Sequence, residues 1–213
     1  MTIMYQEFFW DFDGTLYNTY PGMVEAFMDV FEQKGVKLDQ DEVYRHMRQT
    51  SLGKTFAYYR TQNNLEEEPE ALREEYNPIE AKLEDKMKPF DGVQEVLAKV
   101  VANGGHNYLM THRNKSSLEM LAKFNLKKYF TDAVTAEKKF PRKPNPASLN
   151  SLVEKYDLDP QNCVMVGDRV LDIAAAHNAK MSGILFDPDD LIIEPASPEH
   201  RIQDMHDILN WIK

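Results

Sequence analysis

The pattern that most constrains the fold is a regular alternation of strand and helix signals after residue 89. Strands are predicted at residues 106–111, 133–135, 162–166 and 182–186, and helices at 93–102, 115–124, 145–156 and 171–177. Two parallel strands need a crossover connection, and a helix is the usual one. The alternation therefore predicts an α/β fold with a doubly wound, mainly parallel sheet. In such a sheet a ligand site is expected beyond the carboxyl ends of the strands.

A further strand lies near the start of the chain, and a helical region follows it. Phe8, Phe9 and Trp10 favour a buried strand, which ends at the turn signal Asp13-Gly14. The helical region begins at Pro21, and its later helices are predicted at 41–48, 54–62 and 69–87, the last disturbed at Pro78. We therefore predict a core formed by residues 1–16 and 88–213, with a small α-helical domain at 17–87 inserted after the first strand. This domain is expected above the carboxyl edge of the sheet, where it acts as a lid.

Composition and charge restrict the partners. The 213 residues carry a formal net charge of −10, and the single cysteine, Cys163, stands in an apolar run that favours a buried thiol. A surface of this charge repels polyanions, so nucleic acid is not an expected partner. No run approaches the roughly 18 apolar residues of a membrane span, and the first residues lack the features of a secretory signal. We expect a cytoplasmic monomer or homodimer without a membrane partner.

Polar side chains stand where three predicted strands end. Asp11 and Asp13 follow the first strand, and Thr111 and Asp168 come at the ends of two others. Side chains two apart in an extended segment share a face, so the carboxylates of Asp11 and Asp13 point to one side. Carboxylates this close together are costly without a cation, which indicates a site for Mg²⁺.

Four short motifs, in chain order, resemble the signatures of the haloacid dehalogenase superfamily, most of whose members are phosphotransferases. The first is DFDGTL at residues 11–16, and the second is LMTHR at 109–113, where a strand ends with a threonine. RKPNP at 142–146 resembles the third, a lysine before a helix, and VMVGD at 164–168 followed by Asp172 resembles the fourth, an acidic pair. The resemblance implies a Rossmann-like core with a helical cap, similar to the phosphoglycolate phosphatase-like group.

The resemblance implies catalytic roles for four residues. Asp11 would attack phosphorus and form an aspartyl-phosphate, while Asp13 would protonate the leaving alkoxide and then deprotonate the attacking water. Thr111 and Lys143 would hold the phosphoryl oxygens and stabilise their charge. Taken alone, Thr111 is as readily explained as a hydroxyl that caps the next helix, and Lys143 as a surface lysine.

The resemblance also implies the ligands of the Mg²⁺ ion. They are the Asp11 carboxylate, the Asp13 backbone carbonyl and the Asp168 carboxylate, all of them oxygen ligands that suit this ion. Asp172 lies one helical turn from Asp168, so it is expected beside these ligands, orienting water or Lys143.

Residues outside the four central positions are expected to contact the substrate. Lys54 follows a glycine in a turn between helices of the cap, and His112 and Arg113 follow Thr111 in the second motif. Each of these three side chains is also compatible with an exposed position without a ligand. The aromatic residues Phe56, Tyr58 and Tyr59 have helical spacing and are predicted to form the core of the cap, with a position facing the cleft as the alternative for Tyr58 or Tyr59.

Together these features predict a Mg²⁺-dependent phosphatase that acts on a small phosphorylated metabolite and resembles phosphoglycolate phosphatases. Asp13 argues against haloacid dehalogenases, which lack this second aspartate, and against related phosphonate hydrolases, which have a small residue there. Sugar-phosphate mutases keep both aspartates and carry a similar cap, so a mutase is an open alternative. A binding module without turnover is a further alternative, although a pure binding site has no need for Asp13.

Overall fold

A computed structural model describes residues 4–193 and 197–213. These residues divide into two compact units. The first contains the described residues up to Tyr17, Pro89–Asp190 and the residues from 197 onward, and the second contains Asn18–Lys88 and Leu191–Ile193. The sequence-based division places residues 191–193 in the core, whereas the structure groups them with the helices of the second unit. There the Gln49 side chain donates a hydrogen bond to the Leu191 carbonyl (3.0 Å).

Eight strands occur among the described residues: β1 (Glu7–Trp10), β2 (Tyr17–Asn18), β3 (Lys88–Pro89), β4 (His106–Met110), β5 (Phe130–Val134), β6 (Cys163–Gly167), β7 (Ser182–Phe186) and β8 (His200–Ile202). Six of them form one parallel sheet in the order β5-β4-β1-β6-β7-β8. β2 and β3 pair with each other, and the division between the units passes through both. Trp10 lies between Leu109 and Val166, so β1, β4 and β6 end close to one level. The strand order reverses at β1, which is where ligand sites form in such sheets.

Helices cover both faces of this sheet. The α-helices of the described residues are α1 (Tyr20–Gln33), α2 (Gln40–Gln49), α3 (Leu52–Gln62), α4 (Pro69–Leu83), α5 (Val93–Ala102), α6 (Ser116–Lys123), α7 (Ala147–Lys155) and α8 (Val170–Asn178). Phe9 packs in one apolar cluster with Leu149 of α7. Trp10 points to the opposite face. Its indole donates to the side chain of Asn107 (2.9 Å), which donates to the Leu97 carbonyl of α5 (3.1 Å). The predicted doubly wound α/β fold is confirmed.

The second unit has an aromatic core of its own. Phe27 and Phe31 of α1 stack with their ring centroids 4.7 Å apart, and Phe27 lies at the same distance from Phe56 of α3. Of the aromatic residues predicted for this core, Phe56 and Tyr59 are buried, but the prediction is wrong for Tyr58, which is 45% exposed. α1 and α3 therefore bury aromatic surface against each other, and α2 and α4 pack against both of them.

Several elements differ from the sequence prediction. α4 continues through Pro78 and ends at Leu83, and a 3-10 turn follows at Glu84–Lys86. Pro78 lacks one backbone donor, but α4 packs against α1 and α3, and this packing outweighs one lost hydrogen bond. The strand predicted at 133–135 is the longer β5, while β8 and the 3-10 helix Met205–Trp211 have no counterpart in the prediction. Such short elements span too few residues for a periodic pattern.

Within residues 4–193 and 197–213, no helix has the length and apolar character that a membrane span requires.

Candidate active site

Four of the predicted site residues meet at the carboxyl edge of the sheet in the first unit: Asp11, Lys143, Asp168 and Asp172. Asp11 and Asp168 directly follow β1 and β6, and Asp172 lies in the first turn of α8. The Asp11 backbone N–H donates to the Val166 carbonyl (2.9 Å), so the hydrogen bonding of the sheet extends to this residue and fixes its backbone. All four side chains belong to residues that are at most 5% exposed. The site is thus a cluster of charged groups shielded from water.

Lys143 lies between two of the carboxylates. Its Nζ is 2.8 Å from Oδ1 of Asp11 and also forms a hydrogen-bonded ion pair with Oδ1 of Asp172. One carboxylate oxygen from each of Asp11, Asp168 and Asp172 lies within 4.8 Å of the others. The three carboxylates therefore share a small volume, and positive charge is needed to compensate their mutual repulsion.

The charges in this cluster shift the pKa values in different directions. Burial raises the pKa of Asp11 to about 7, and the attraction of Lys143 offsets this effect only in part. Burial also acts to raise the pKa of Asp172, but Lys143 and Arg169 outweigh it and hold that pKa below its usual value. For Lys143, burial opposes the charged form, yet Asp11 and Asp172 raise its pKa. Lys143 and Asp172 are therefore an ion pair at neutral pH, while Asp11 is close to its titration point.

The donor set of the cluster fits a hard divalent cation. It offers only carboxylate oxygens, which are the ligands that Mg²⁺ and Ca²⁺ prefer. Oδ2 of Asp11 is buried and has no hydrogen-bond partner among the described residues, although a buried carboxylate oxygen normally has one. Nη2 of Arg169 lies 3.8 Å from this oxygen, and Nε of the same guanidinium lies 3.8 Å from Oδ1 of Asp168. A cation coordinated by Asp11 and Asp168 would supply a ligand bond to the oxygen that lacks a hydrogen bond.

Steric contact with Asp172 explains why the fourth motif has a glycine at position 167. Oδ2 of Asp172 accepts a hydrogen bond from the Arg169 backbone N–H (3.1 Å), so its side chain folds back over the start of α8. A Cβ atom on Gly167 would lie 2.2 Å from Cβ of Asp172. Only glycine leaves room there, and the close approach brings Asp172 alongside Asp168 at the end of β6.

Thr111 directly follows β4 and is not the N-cap residue of the next helix, which is the alternative explanation for its hydroxyl. α6 begins only at Ser116, and the Thr111 Oγ1 instead accepts a hydrogen bond from the Arg113 backbone N–H (3.0 Å). Its own backbone N–H donates to the Val134 carbonyl of β5 (3.0 Å). The hydroxyl is therefore held in the loop that follows β4, and its hydrogen can be donated to another group.

The two residues after Thr111 have partners within the first unit. Nε2 of His112 accepts a hydrogen bond from the Lys143 backbone N–H (3.1 Å). Burial and the positive charge of Lys143 lower the pKa of His112 to about 3, so the imidazole is neutral and helps to hold the loop that carries Lys143. Arg113 forms an ion pair with Asp13, at 2.9 Å from Nη2 to Oδ1. Substrate contact by either side chain stays a prediction.

Lys54 lies in the second unit, at the start of α3, and is exposed; its backbone N–H donates to the Ser51 hydroxyl (3.3 Å).

Two residues near the carboxylates were not predicted from the sequence to belong to the site. Arg169 approaches Asp11 and Asp168, and the Thr15 hydroxyl lies 3.5 Å from Oδ1 of Asp168. Thr15 lies inside the first motif and Arg169 directly follows the VMVGD segment of the fourth. This proximity to a motif is the only feature of the sequence that could have indicated their place in the site. The individual roles assigned to the site residues stay predictions.

Comparisons with known proteins identify the family. The haloacid dehalogenase-like hydrolase family matches residues 8–193. A phosphoglycolate phosphatase of Vibrio parahaemolyticus is 28% identical over 177 residues, which cover 79% of this chain and 78% of the relative. A 6-phosphogluconate phosphatase of Escherichia coli is 23% identical over 188 residues, covering 85% and 82%. A solved hydrolase structure from Streptococcus pneumoniae is 31% identical, with a TM-score of 0.69, and the similarity covers 98% of this chain and 100% of that one.

The family match spans most of the chain and includes all four motif regions, at 11–16, 109–113, 142–146 and 164–172. The phosphoglycolate phosphatase and the 6-phosphogluconate phosphatase both match along most of their own length. This chain therefore belongs to the haloacid dehalogenase-like hydrolase family and is a phosphatase of that family.

Proposed function

We propose that this phosphatase hydrolyses a small phosphorylated metabolite through an aspartyl-phosphate formed on Asp11, with Mg²⁺ as cofactor. The observation that carries the proposal is the environment of Asp11. One carboxylate oxygen is held by Lys143 at 2.8 Å, while the other is buried without a hydrogen-bond partner among the described residues. A carboxylate fixed in this way is preorganised to act as a nucleophile, because little reorientation is needed before attack.

The reaction divides into two displacements at phosphorus. In the first, an Asp11 oxygen forms a bond to phosphorus while the bond to the ester oxygen breaks, and Asp13 gives its proton to the departing alkoxide. In the second, Asp13 takes a proton from water as the water oxygen bonds to phosphorus, and the bond to Asp11 breaks to release inorganic phosphate. Lys143 and Thr111 hold the phosphoryl oxygens during both steps, as a point charge and a hydroxyl donor.

The metal would be held by the carboxylates of Asp11 and Asp168 and by the backbone carbonyl of Asp13. When bound, Mg²⁺ supplies positive charge that neutralises the phosphate oxygens. Asp172 keeps Lys143 in place through their ion pair, which the buried position of both side chains strengthens. This set of contacts supports Asp172 as a residue that orients Lys143.

The names of the relatives suggest the first substrates to test. Phosphoglycolate and 6-phosphogluconate are both phosphate monoesters of hydroxy acids, so each carries a carboxylate in addition to the phosphate. We propose that the substrate of this chain belongs to the same chemical class. The sequence-based expectation is that Lys54, His112 and Arg113 contact the part of the substrate beyond the phosphate.

A panel of phosphorylated metabolites tests the proposed function. With Mg²⁺ present, we expect release of inorganic phosphate from phosphorylated hydroxy acids, and we expect a chelator to abolish it for every substrate. A sugar-phosphate mutase would instead convert a phosphorylated sugar to its isomer without net phosphate release. Full activity in metal-free buffer would contradict the proposed cofactor.

The stabilisation produced by Mg²⁺ should increase with pH. The pKa of Asp11 is raised from the usual value near 4 to about 7, so its contribution to stability is present below about pH 4 and is lost as pH rises through 7. Mg²⁺ binds the ionised carboxylate, and each pH unit below 7 should weaken its apparent affinity by up to about tenfold. Thermal unfolding with and without Mg²⁺ at about pH 5.5 and 8 measures this effect. The same Mg²⁺-induced shift at both pH values would contradict the assignment of Asp11 as a ligand, and Asp11→Asn should remove the dependence.

A further inference from the structure

Arg113 contacts Asp13, the residue to which the proposed function assigns the proton transfers. Nε and Nη2 of Arg113 both lie 2.9 Å from Oδ1 of Asp13. The Arg113 side chain is 9% exposed and that of Asp13 is 24% exposed, so this pair is partly shielded from solvent. The hydrogen bond from Nε, together with the ion-pair contact of Nη2 to the same oxygen, restricts the rotation of the carboxyl group more than one contact would.

Arg113 is itself fixed within the first unit. Its backbone N–H donates to the Thr111 hydroxyl (3.0 Å), and its backbone carbonyl accepts from the Ala136 N–H (3.1 Å). The guanidinium carbon lies 5.9 Å from the centroid of the buried Phe12 ring, which stacks on Tyr17 at 4.5 Å. The guanidinium therefore lies over Phe12 while it pairs with the next residue, Asp13, and the Arg113 backbone is hydrogen-bonded to residues that follow β4 and β5.

We propose that Arg113 is a positioning residue for the acid–base step, holding Oδ1 of Asp13 so that Oδ2 is the oxygen that exchanges the proton. This inference rests on the proposed function, in which Asp13 protonates the leaving oxygen. Asp13 lies outside the sheet, just before Gly14 with its positive φ of 74°, so the strand does not fix its side chain. Without Arg113 the carboxyl group would sample other rotamers, and a displacement of about 1 Å at a reacting group costs about 100-fold in rate.

The inference differs from direct substrate contact, which is the expectation for Arg113 from sequence. A residue that binds substrate contributes whether or not Asp13 is present, and its loss raises KM. A residue that acts through Asp13 contributes only when Asp13 is present, and its loss lowers the rate of the step that needs the acid. A double-mutant cycle separates these cases.

The experiment compares Arg113→Ala, Asp13→Ala and the double variant with the natural enzyme, all with Mg²⁺. Rapid-quench measurement of the phosphorylation step is made with an alkyl phosphate, which has a poor leaving group, and with 4-nitrophenyl phosphate, which has a good one. We expect Arg113→Ala to slow the alkyl ester by about 100-fold, with a much smaller effect on the aryl ester and little change in KM. In the Asp13→Ala background, Arg113→Ala should have no further effect. Arg113→Lys should restore part of the rate, since an ammonium keeps the charge but not the two guanidinium contacts to one oxygen.

Lys115→Ala is the matched control, because it removes an exposed positive charge from the same loop and should leave both rates unchanged. Equal losses from Arg113→Ala with and without Asp13, accompanied by a raised KM, would overturn the inference and leave the proposed function standing. If Asp13→Ala affects the two esters equally, the acid role itself fails and the inference fails with it. Circular dichroism establishes that each variant is folded. If Arg113→Ala does not fold, Arg113→Lys replaces it in the same comparison. An Arg113→Lys variant that is phosphorylated by the alkyl ester as fast as the natural enzyme would then contradict the positioning role.

Discussion

Replacing Asp11 with asparagine should abolish phosphate release, with a loss of at least about 1,000-fold in kcat for every substrate. An amide has nearly the shape of a carboxylate but does not form the acyl-phosphate bond, so the first displacement stops. Asp11 is only 2% exposed and stands at the end of a central strand, which leaves little room for water to take its place. Steady-state phosphate release and mass spectrometry of the trapped phosphoenzyme measure the result.

The fold of this variant should be intact. Burial already disfavours the charged form of Asp11, so replacing it with a neutral side chain should not lower the stability of the metal-free protein at about pH 8. Asp187→Asn is a suitable control, because Asp187 is another fully buried carboxylate that directly follows a strand of the same sheet, β7. It should keep the natural activity per folded molecule. Activity of Asp11→Asn within tenfold of the natural enzyme would mean that water attacks phosphorus directly.

Replacing Lys143 with methionine should damage both stability and turnover. Methionine has a similar length but no charge, so Asp11 and Asp172 lose the cation that lies between them. Removing one partner of a buried ion pair costs about 3–5 kcal/mol of unfolding free energy, because the charges left behind are neither solvated nor compensated. Loss of a positive group that holds the phosphoryl oxygens should lower kcat by about 100- to 1,000-fold.

The stability loss in Lys143→Met should depend on pH. Without Lys143, burial raises the pKa of the remaining carboxylates, so their contribution to stability is present below about pH 4 and disappears as pH rises through the raised values. In the natural protein the lowered pKa of Asp172 acts in the opposite sense, adding stability above about pH 4 that is lost on acidification. The difference in unfolding free energy between the two proteins should therefore widen from about pH 5 to 8.

Urea unfolding of both metal-free proteins across this range measures the effect. Lys155→Met is the matched control, because Lys155 pairs with Asp132 at 2.7 Å but is 60% exposed. Solvent screens an exposed pair, so this control should lose less than about 1 kcal/mol at any pH in the range. A pH-independent loss in Lys143→Met would show that packing, and not charge compensation, is what Lys143 contributes.

The elements that the sequence predicts well are those with a local signature. The strands at 106–111, 162–166 and 182–186 and the helix at 93–102 agree with the structure to within a residue, since hydrophobic period and turn residues act over short distances. The positions of Asp11, Thr111 and Asp168 at strand ends follow from the same patterns. Because parallel strands end at a common edge, their placement on one side of the sheet also follows from the sequence.

Tertiary structure alone decides which side chains contact one another at the carboxyl edge of the sheet. The contact between Arg113 and Asp13 joins residues 100 positions apart, and the contacts of Lys143 join a loop to the residue after β1 and to α8. The approach of Arg169 to Asp11 likewise depends on β6 lying beside β1. No local pattern encodes such pairings, because they depend on strand order, register and the exclusion of water around charges. The residue types that make phosphoryl transfer feasible are therefore readable from the chain, whereas the pKa values and orientations that control it arise only when the strands are assembled.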